Sequence, residues 1–171
     1  MRFGKLLITS TFILAGTCAA ADQSPWYFGL FYDDAQFDPS SGQTGDLNNI
    51  NFKLGYDYSP FWGVEIHGGK DVSGDGGDLE GSGVAYLAVL GRGNIPLNRI
   101  NVYGLLGPTY VSADFTDVDG SYTNLAAGVG VELYGNENTA VGLEYIQYGF
   151  DDIYKTIGVG IVHHFNWPEF R

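Results

Sequence analysis

The stretch Lys155–Phe165, KTIGVGIVHHF, decides the fold because its side-chain sizes alternate. Larger residues fall on every second position, and two glycines stand between them. Successive side chains of a β-strand point to opposite faces of the sheet, so the pattern predicts a strand with one large apolar face and one small face. The large face would fill the interior of a soluble barrel, whereas it would contact lipid in a membrane barrel. Its members are Ile157, Val159, Ile161, His163 and Phe165.

Residues 1–21 have the features of a secretory signal peptide, which is excluded from the folded domain. Arg2 and Lys5 precede the apolar run LLITSTFILAG, and small residues of the kind that signal peptidase accepts follow it. Cleavage after Ala21 would leave one mature domain of residues 22–171, and cleavage after Ala20 is the alternative.

Charge and cysteine content exclude several classes of protein. The single cysteine, Cys18, lies in the signal, so the mature domain has no disulfide, and Thr17 before it disfavours lipoprotein processing. The formal net charge of −12 becomes −14 when the two basic residues of the signal are removed. This excess of negative charge argues against a basic nucleic-acid surface. No later segment has the apolar length of a transmembrane helix.

Eight stretches of the mature chain show two-residue periodicity, and none shows clear helical periodicity. In those that sort well, one face carries large apolar residues and the other carries mainly Gly, Ala and Asn. The fourth stretch, GVAYLAVLGRG, is apolar on both faces, and its sides stay unassigned. The eight stretches are residues 26–37, 49–58, 62–70, 83–93, 100–115, 123–135, 139–150 and 154–165.

A few charged groups lie among the small residues and form a predicted interior network. The interior of an eight-stranded barrel is just wide enough for side chains to fill, which suits small residues, and opposite charges could pair there. Lipid would solvate the large apolar face, and closure would remove the sheet edges. The inverted, soluble arrangement would have a surface unusually poor in charge. The predicted network, proposed to hold the barrel rigid, consists of Lys53, Glu65, His67, Glu132 and Glu144.

The connections between the stretches alternate in length and charge. Odd-numbered connections, with their strand ends, hold 13 of the 20 acidic residues. Even-numbered connections are short and hold Glu137, Arg92 and Arg99. One longer-looped rim and one short-turned rim are typical of outer-membrane barrels, whose short turns are periplasmic.

Aromatic residues fall at both ends of the predicted strands. Trp26, Trp62 and Trp167 lie at the short-turn rim and are predicted to form an aromatic girdle where the membrane meets water. An ordinary aromatic core is the alternative. The residues assigned to the opposite rim are Tyr32, Phe37, Tyr110, Phe115, Tyr148 and Phe150.

Together these features resemble the small eight-stranded outer-membrane β-barrel family, which includes the barrel of outer membrane protein A, the attachment-invasion proteins and opacity-type "porin family" proteins. The resemblance covers Asp22–Arg171 and is carried by Trp26-Tyr27, NVYGLLG, AAGVGVELYG, VGLEYIQYGF and GVGIVHHF. It implies an all-β, antiparallel, transmembrane up-and-down barrel in the outer membrane of a Gram-negative cell envelope.

The resemblance also implies partners. In this family the last strand is the assembly signal read by the outer-membrane insertion machinery, which gives Ile161, His163 and Phe165 that role. The family usually ends on the aromatic residue, whereas NWPEFR follows Phe165 here, so Phe165 and Phe170 both remain candidates for it. Expected partners are this machinery, outer-membrane lipid and lipopolysaccharide. A monomer without cofactor or nucleic acid is expected.

Several functions fit such a scaffold. The predicted one is a structural or surface-interaction role through acidic outer loops, without catalysis. The runner-up is a lipid A-modifying deacylase or acyltransferase, although HHFN lacks the serine that the deacylase type carries two positions after its histidine. A pore is disfavoured by the narrow lumen. A soluble periplasmic barrel that binds a small apolar ligand is a further alternative.

One loop is a candidate metal site. DVSGDGGDLEGSG offers Asp71, Asp75, Asp78 and Glu80, whose oxygens suit Ca²⁺. Their spacing does not match the EF-hand pattern, so a solvated loop is the preferred interpretation and no metal is predicted. Divalent bridging between these acids and lipopolysaccharide phosphates is the more plausible hypothesis.

Overall fold

The computed structural model describes residues 24–37, 45–72, 81–115, 119–149 and 154–165. Each strand pairs antiparallel with the next, and the last pairs with the first, so the sheet closes into an eight-stranded barrel as predicted. Within the described residues, no helix has the length and apolar character needed to cross a membrane. The strands are β1 (Trp26–Phe37), β2 (Gly45–Ser59), β3 (Trp62–Asp71), β4 (Gly81–Leu97), β5 (Ile100–Phe115), β6 (Asp119–Tyr134), β7 (Thr139–Tyr148) and β8 (Tyr154–His164).

The fourth strand is longer than its sequence pattern indicates. It runs to Leu97, which pairs with Ile100, so only Asn98 and Arg99 connect β4 to β5. Asn98 has a φ of 56°, in the left-handed region that asparagine tolerates better than most residues. The assignment of Arg92 to a short connection is therefore wrong, because Arg92 lies within the strand.

Large apolar side chains point away from the barrel axis. Phe52, Leu106 and Val129 are 62%, 59% and 60% exposed, and the inward residues beside them are mostly buried. In β8 the exposed residues are Ile157, Val159 and Ile161, while the glycines between them face inward. A continuous exposed apolar belt around a closed sheet is the surface that a membrane barrel presents to lipid.

Inward glycines make room for large inward side chains of the neighbouring strand. In three pairs a tyrosine lies directly opposite a glycine, and a Cβ atom on that glycine would overlap the tyrosine ring. The small-residue face therefore lets bulky interior groups lie across it. The pairs are Tyr27–Gly55, Tyr86–Gly69 and Tyr103–Gly130.

One aromatic assignment to the outer rim is wrong. Tyr148 is only 1% exposed, and its ring lies inside the barrel, 4.3 Å from the Tyr86 ring centroid. It faces inward because it is four residues after Glu144 on the same strand. Tyr32 and Tyr110 do face outward. The side chains of Phe37 and Phe115, and all of Phe150, lie outside the described residues.

Candidate functional site

All five residues of the predicted network lie in the barrel interior, with side chains no more than 4% exposed. Strand alternation turns each of them inward, and the closed sheet brings β2, β3, β6 and β7 around one axis. Side chains that line a wide water channel would be exposed to it. The near-complete burial of these groups therefore favours a filled interior over an open pore.

Arg92 is the central member of the network, and the sequence pattern missed it. Its two terminal nitrogens bind different carboxylates: Nη1 binds Glu65, and Nη2 lies 2.7 Å from Oε2 of Glu132. Its Nε donates to Oδ1 of Asn94 at 2.6 Å. The guanidinium carbon also lies 3.9 Å from the centroid of the Tyr103 ring. The fork of Arg92 thus links β3, β4 and β6.

Lys53 forms the second cationic centre. Its Nζ donates to Oε2 of Glu144 at 2.6 Å, and the hydroxyl of Tyr103 donates to the same oxygen at 2.7 Å. The ammonium lies 3.8 Å from the centroid of the Phe31 ring, at a distance that permits a cation–π interaction. Lys53 is therefore held by a carboxylate and by the face of an aromatic ring.

Glu65 accepts from three side chains. Arg92 and the Tyr27 hydroxyl bind Oε1, the latter at 2.6 Å, and Nε2 of His67 lies 2.5 Å from Oε2. Nδ1 of His67 has no hydrogen-bond partner among the described residues. Because each carboxylate of the network meets at least one cation, the charges are largely compensated inside the protein.

The same residues include a set with metal-ligand chemistry. One ligand atom from each of Glu65, His67 and Glu144 lies within 4.8 Å of the others. However, Arg92 and Lys53 already bind the two glutamates. A metal ion here would have to compete with cations of the protein, so the trio is better explained as part of the interior network.

Comparison with known proteins decides the family. The family described as "Outer membrane protein beta-barrel domain" matches residues 6–165. This chain belongs to that family. It is accordingly an outer-membrane β-barrel protein of the Gram-negative type, as its apolar belt and closed sheet indicate. A search of curated proteins finds no significant match.

Solved outer-membrane barrels share the fold. The attachment invasion locus protein Ail of Yersinia pestis is 21% identical, with a TM-score of 0.63 over 83% of this chain and 99% of Ail. Neisserial surface protein A is 16% identical, with a TM-score of 0.59 over 83% and 98%. The N-terminal barrel of OprF from Pseudomonas aeruginosa is 13% identical, with a TM-score of 0.58 over 84% and 99%. At these identities the likeness shows the fold alone.

The structure describes two of the three tryptophans of the predicted aromatic girdle. Trp26 and Trp62 are 43% and 67% exposed and lie at the short-turn end. Trp26 makes an edge-to-face contact with Tyr56, whose ring centroid is 4.9 Å away. Trp167 lies outside the described residues. The role of these residues at the membrane interface stays a prediction.

The end of the last strand closes the outer-membrane barrel against β1. The backbone N–H of Phe165 donates to the carbonyl of Trp26 at 3.0 Å, and its ring lies 5.6 Å from that of Phe28. Ile161 faces outward, and His163 is partly exposed. Their role as an assembly signal stays a prediction, and Phe170 lies outside the described residues.

A threonine–histidine contact is the feature nearest to hydrolase chemistry. Oγ1 of Thr139 lies 2.9 Å from Nδ1 of His163 at the short-turn end. A hydrolase triad also needs an acidic group that orients the histidine, and no carboxylate contacts His163 within the described strands. The pair is therefore incomplete as a catalytic site.

Of the four acidic residues in the loop that was a weak candidate for a metal site, the structure describes only the first, Asp71. Asp71 is 8% exposed and turns into the barrel rather than toward solvent. Asp75, Asp78 and Glu80 lie outside the described residues.

Proposed function

We propose that this outer-membrane protein acts in surface interaction, without catalysis, through its negatively charged outer end. The supporting observation is the composition of the four connections at that end, which contain seven acidic residues and no lysine or arginine. These connections are residues 38–44, 72–80, 116–118 and 149–153.

The opposite end of the barrel lacks this charge. Its connections are short, and their charged residues are Arg99 and Glu137, which offset each other. Charges of one sign that are concentrated at one end create a potential that attracts ions and partners of the opposite sign within about a Debye length, ~8 Å at physiological salt. The outer end is therefore suited to cationic partners.

Ail offers a useful contrast. One Ail structure is a complex with the heparin analogue sucrose octasulfate, which carries many negative charges. An acidic outer end would repel such a ligand. We infer that this protein instead binds cationic peptides or protein surfaces, or is bridged by divalent cations to lipopolysaccharide phosphates.

The proposed absence of catalysis rests on how the polar groups are used. Lys53, Arg92 and Glu65 are buried and engaged with one another or with neighbouring side chains. Groups held in this way support the barrel and are not presented to a substrate. The Thr139–His163 pair lacks the acid that a hydrolase triad needs.

A binding experiment on the purified barrel in nanodiscs of zwitterionic lipid tests the proposal. We expect poly-lysine to bind in a salt-sensitive manner and heparin not to bind. Neutralising most of the outer acids in D75N/D78N/E80Q/D151N/D152N should weaken poly-lysine binding by about tenfold or more, since five of the seven negative charges of these connections are lost.

The matched control is Glu137→Gln, which removes an acid from the short-turn end and should leave binding unchanged. Equal poly-lysine binding by the wild-type and neutralised barrels would contradict the proposal, as would heparin binding by the wild type. Altered lipid A acylation on overexpression would favour the enzymatic alternative.

A further inference from the structure

We propose that two outward lysines at the outer edge of the apolar belt, Lys70 and Lys155, bind the lipid A phosphates of lipopolysaccharide directly. The contact is an ion pair between a lysine ammonium and a phosphate of the outer leaflet, and it needs no divalent cation. It is separate from the surface interaction proposed above, because it uses side chains of the strands and not the acids of the outer connections.

Each lysine stands at the outer end of a run of outward apolar residues. Lys70 is the last outward residue of β3 and is exposed, and Lys155 is the first outward residue of β8 and is partly exposed. A long charged side chain at such a position extends toward the headgroups, because its charge is costly in hydrocarbon. The apolar runs are Val64, Ile66 and Gly68 on β3, and Ile157, Val159 and Ile161 on β8.

Strand register fixes the height of every residue on the barrel. A row of paired residues that starts at Trp26 passes once around the sheet and returns to β1 at Gln36, so one circuit advances ten residues toward the outer end. Ten residues over eight strands is about 1.25 residues for each strand. The row consists of Trp26, Tyr56, Val64, Gly91, Leu106, Ala127, Gln147, Lys155 and Gln36.

The two lysines lie at one level by this geometry. Lys155 is one strand before Gln36, so it lies about 1.25 residues below Gln36. Lys70 is in the row of Tyr32 but two strands later, so it lies about 2.5 residues above Tyr32. Both positions are within about one residue of the level of Asp34 on β1.

This level is about one apolar band above the tryptophans of the short-turn end. Trp26 and Trp62 share a level by the same geometry, about eight residues lower along the strands. At about 3.3 Å per residue and a strand tilt of about 40°, the separation along the barrel axis is roughly 20 Å. The apolar band of an outer-membrane barrel is about 25 Å tall. Extended lysine side chains make up the difference and reach the headgroups.

Phosphate is the ligand of opposite charge at this level, because lipid A carries its phosphates on the headgroup of the outer leaflet. Lysine binds phosphate as a compact point charge. The two lysines flank a face of four strands, β8, β1, β2 and β3. Lys155 also interacts within the protein. A lysine ammonium has three donors, so such a contact leaves donors for a phosphate.

The remaining charges make the two positions distinctive. Among the described residues, the other basic side chains lie elsewhere: Lys53 and Arg92 are buried in the interior, and Arg99 is in the β4–β5 turn at the opposite end. Asp34 faces outward on β1, between the lysines, and repels phosphate. Direct binding by lysine therefore predicts that Asp34 weakens the contact, whereas divalent bridging through acids predicts that it helps.

The test is a titration of the folded barrel with diphosphoryl lipid A, in neutral detergent that contains EDTA, with native mass spectrometry to count bound molecules. The K70Q/K155Q variant should lose affinity by about tenfold or more, because each lysine near an anionic lipid surface contributes roughly a fivefold preference. K70R/K155R keeps both charges and should bind well. Dephosphorylated lipid A should bind the wild type at least about tenfold more weakly, for the same reason.

The controls are matched in charge. Lys70→Gln and Lys155→Gln each remove one positive charge and should each weaken binding, whereas Arg99→Gln removes one from the opposite end and should not. Asp34→Asn should bind lipid A at least as tightly as the wild type does. Without lipid A, K70Q/K155Q should show the heat-dependent mobility of the wild-type barrel, since both side chains face outward.

Several results would overturn the proposal. Equal affinity of the wild type and K70Q/K155Q would do so, as would equal binding of dephosphorylated lipid A. Abolition of wild-type binding by EDTA, or weaker binding by Asp34→Asn, would show bridging through acids instead. Displacement of lipid A by millimolar inorganic phosphate would show a site for free phosphate. Poly-lysine binding should persist in K70Q/K155Q, so the surface interaction can fail or hold independently.

Discussion

Lys53 and Glu144 form an ion pair across the barrel interior between strands that are not neighbours, with 2.6 Å between Nζ and Oε2. Lys53 belongs to β2 and Glu144 to β7, and these strands share no backbone ladder because β1 and β8 lie between them. Both side chains are buried, at 2% and 4% exposure. The ion pair therefore constrains the cross-section of the barrel in a way that strand pairing alone does not.

Removing one member of this pair should be costly. Lys53→Met leaves Glu144 buried without its cation, so we expect a loss of about 3–5 kcal/mol in the free energy of unfolding. K53M/E144Q should lose less than the sum of the two single variants, because the stranded charge is gone. Urea unfolding of the lipid-inserted barrel measures both. Lys70→Met, at an exposed position, is the control, and strict additivity would show that the two groups are not coupled.

Arg92 should not be replaceable by lysine. Its forked guanidinium binds Glu65 and Glu132 at once, and a lysine ammonium lacks that planar fork. We expect Arg92→Lys to lower the free energy of unfolding measurably and Arg92→Met to lower it more, by about 3–5 kcal/mol. Arg99→Lys, in the exposed β4–β5 turn, is the matched control. Wild-type stability of Arg92→Lys would mean that only the charge matters.

Inward glycines should not tolerate a side chain. A methyl group at Gly55 would overlap the Tyr27 ring, so Gly55→Ala should destabilise the barrel by about 1–3 kcal/mol through overpacking. At the outward Gly104, a Cβ atom would lie 3.9 Å from its nearest neighbouring atom, so Gly104→Ala should have little effect. The temperature at which the fast-migrating folded band disappears in electrophoresis compares the two. Equal temperatures would refute the packing role of the inward glycine.

The last strand should be needed for assembly. Phe165→Ser removes the ring that packs on Phe28 where β8 meets β1, so we expect lower levels of the protein in the outer-membrane fraction. Phe61→Ser, at an exposed aromatic in the β2–β3 turn, is the control. Quantitative blotting of heated and unheated membrane fractions gives the folded amount. Wild-type abundance of Phe165→Ser would count against an assembly role for this residue.

The sequence predicted the inward positions of Lys53, Glu65 and Glu132 because strands alternate with a strict period of two. Where one face of a strand is apolar and the other is small or charged, this alternation predicts which side chains face lipid. Arg92 was missed because its strand is apolar on both faces, so its sides stayed unassigned, and because it was counted with the short connection that follows. Tyr148 was misplaced although its spacing from Glu144 already indicated the inward face.

By itself, then, the sequence determined an eight-stranded membrane barrel and the facing of its clearly patterned strands, because alternation is a local property of the chain. Only the tertiary structure decided which interior groups meet. Closure and register place Lys53 against Glu144, and Arg92 between Glu65 and Glu132. These meetings depend on the stagger of strands around a closed sheet, and period-two patterning contains no information about that stagger.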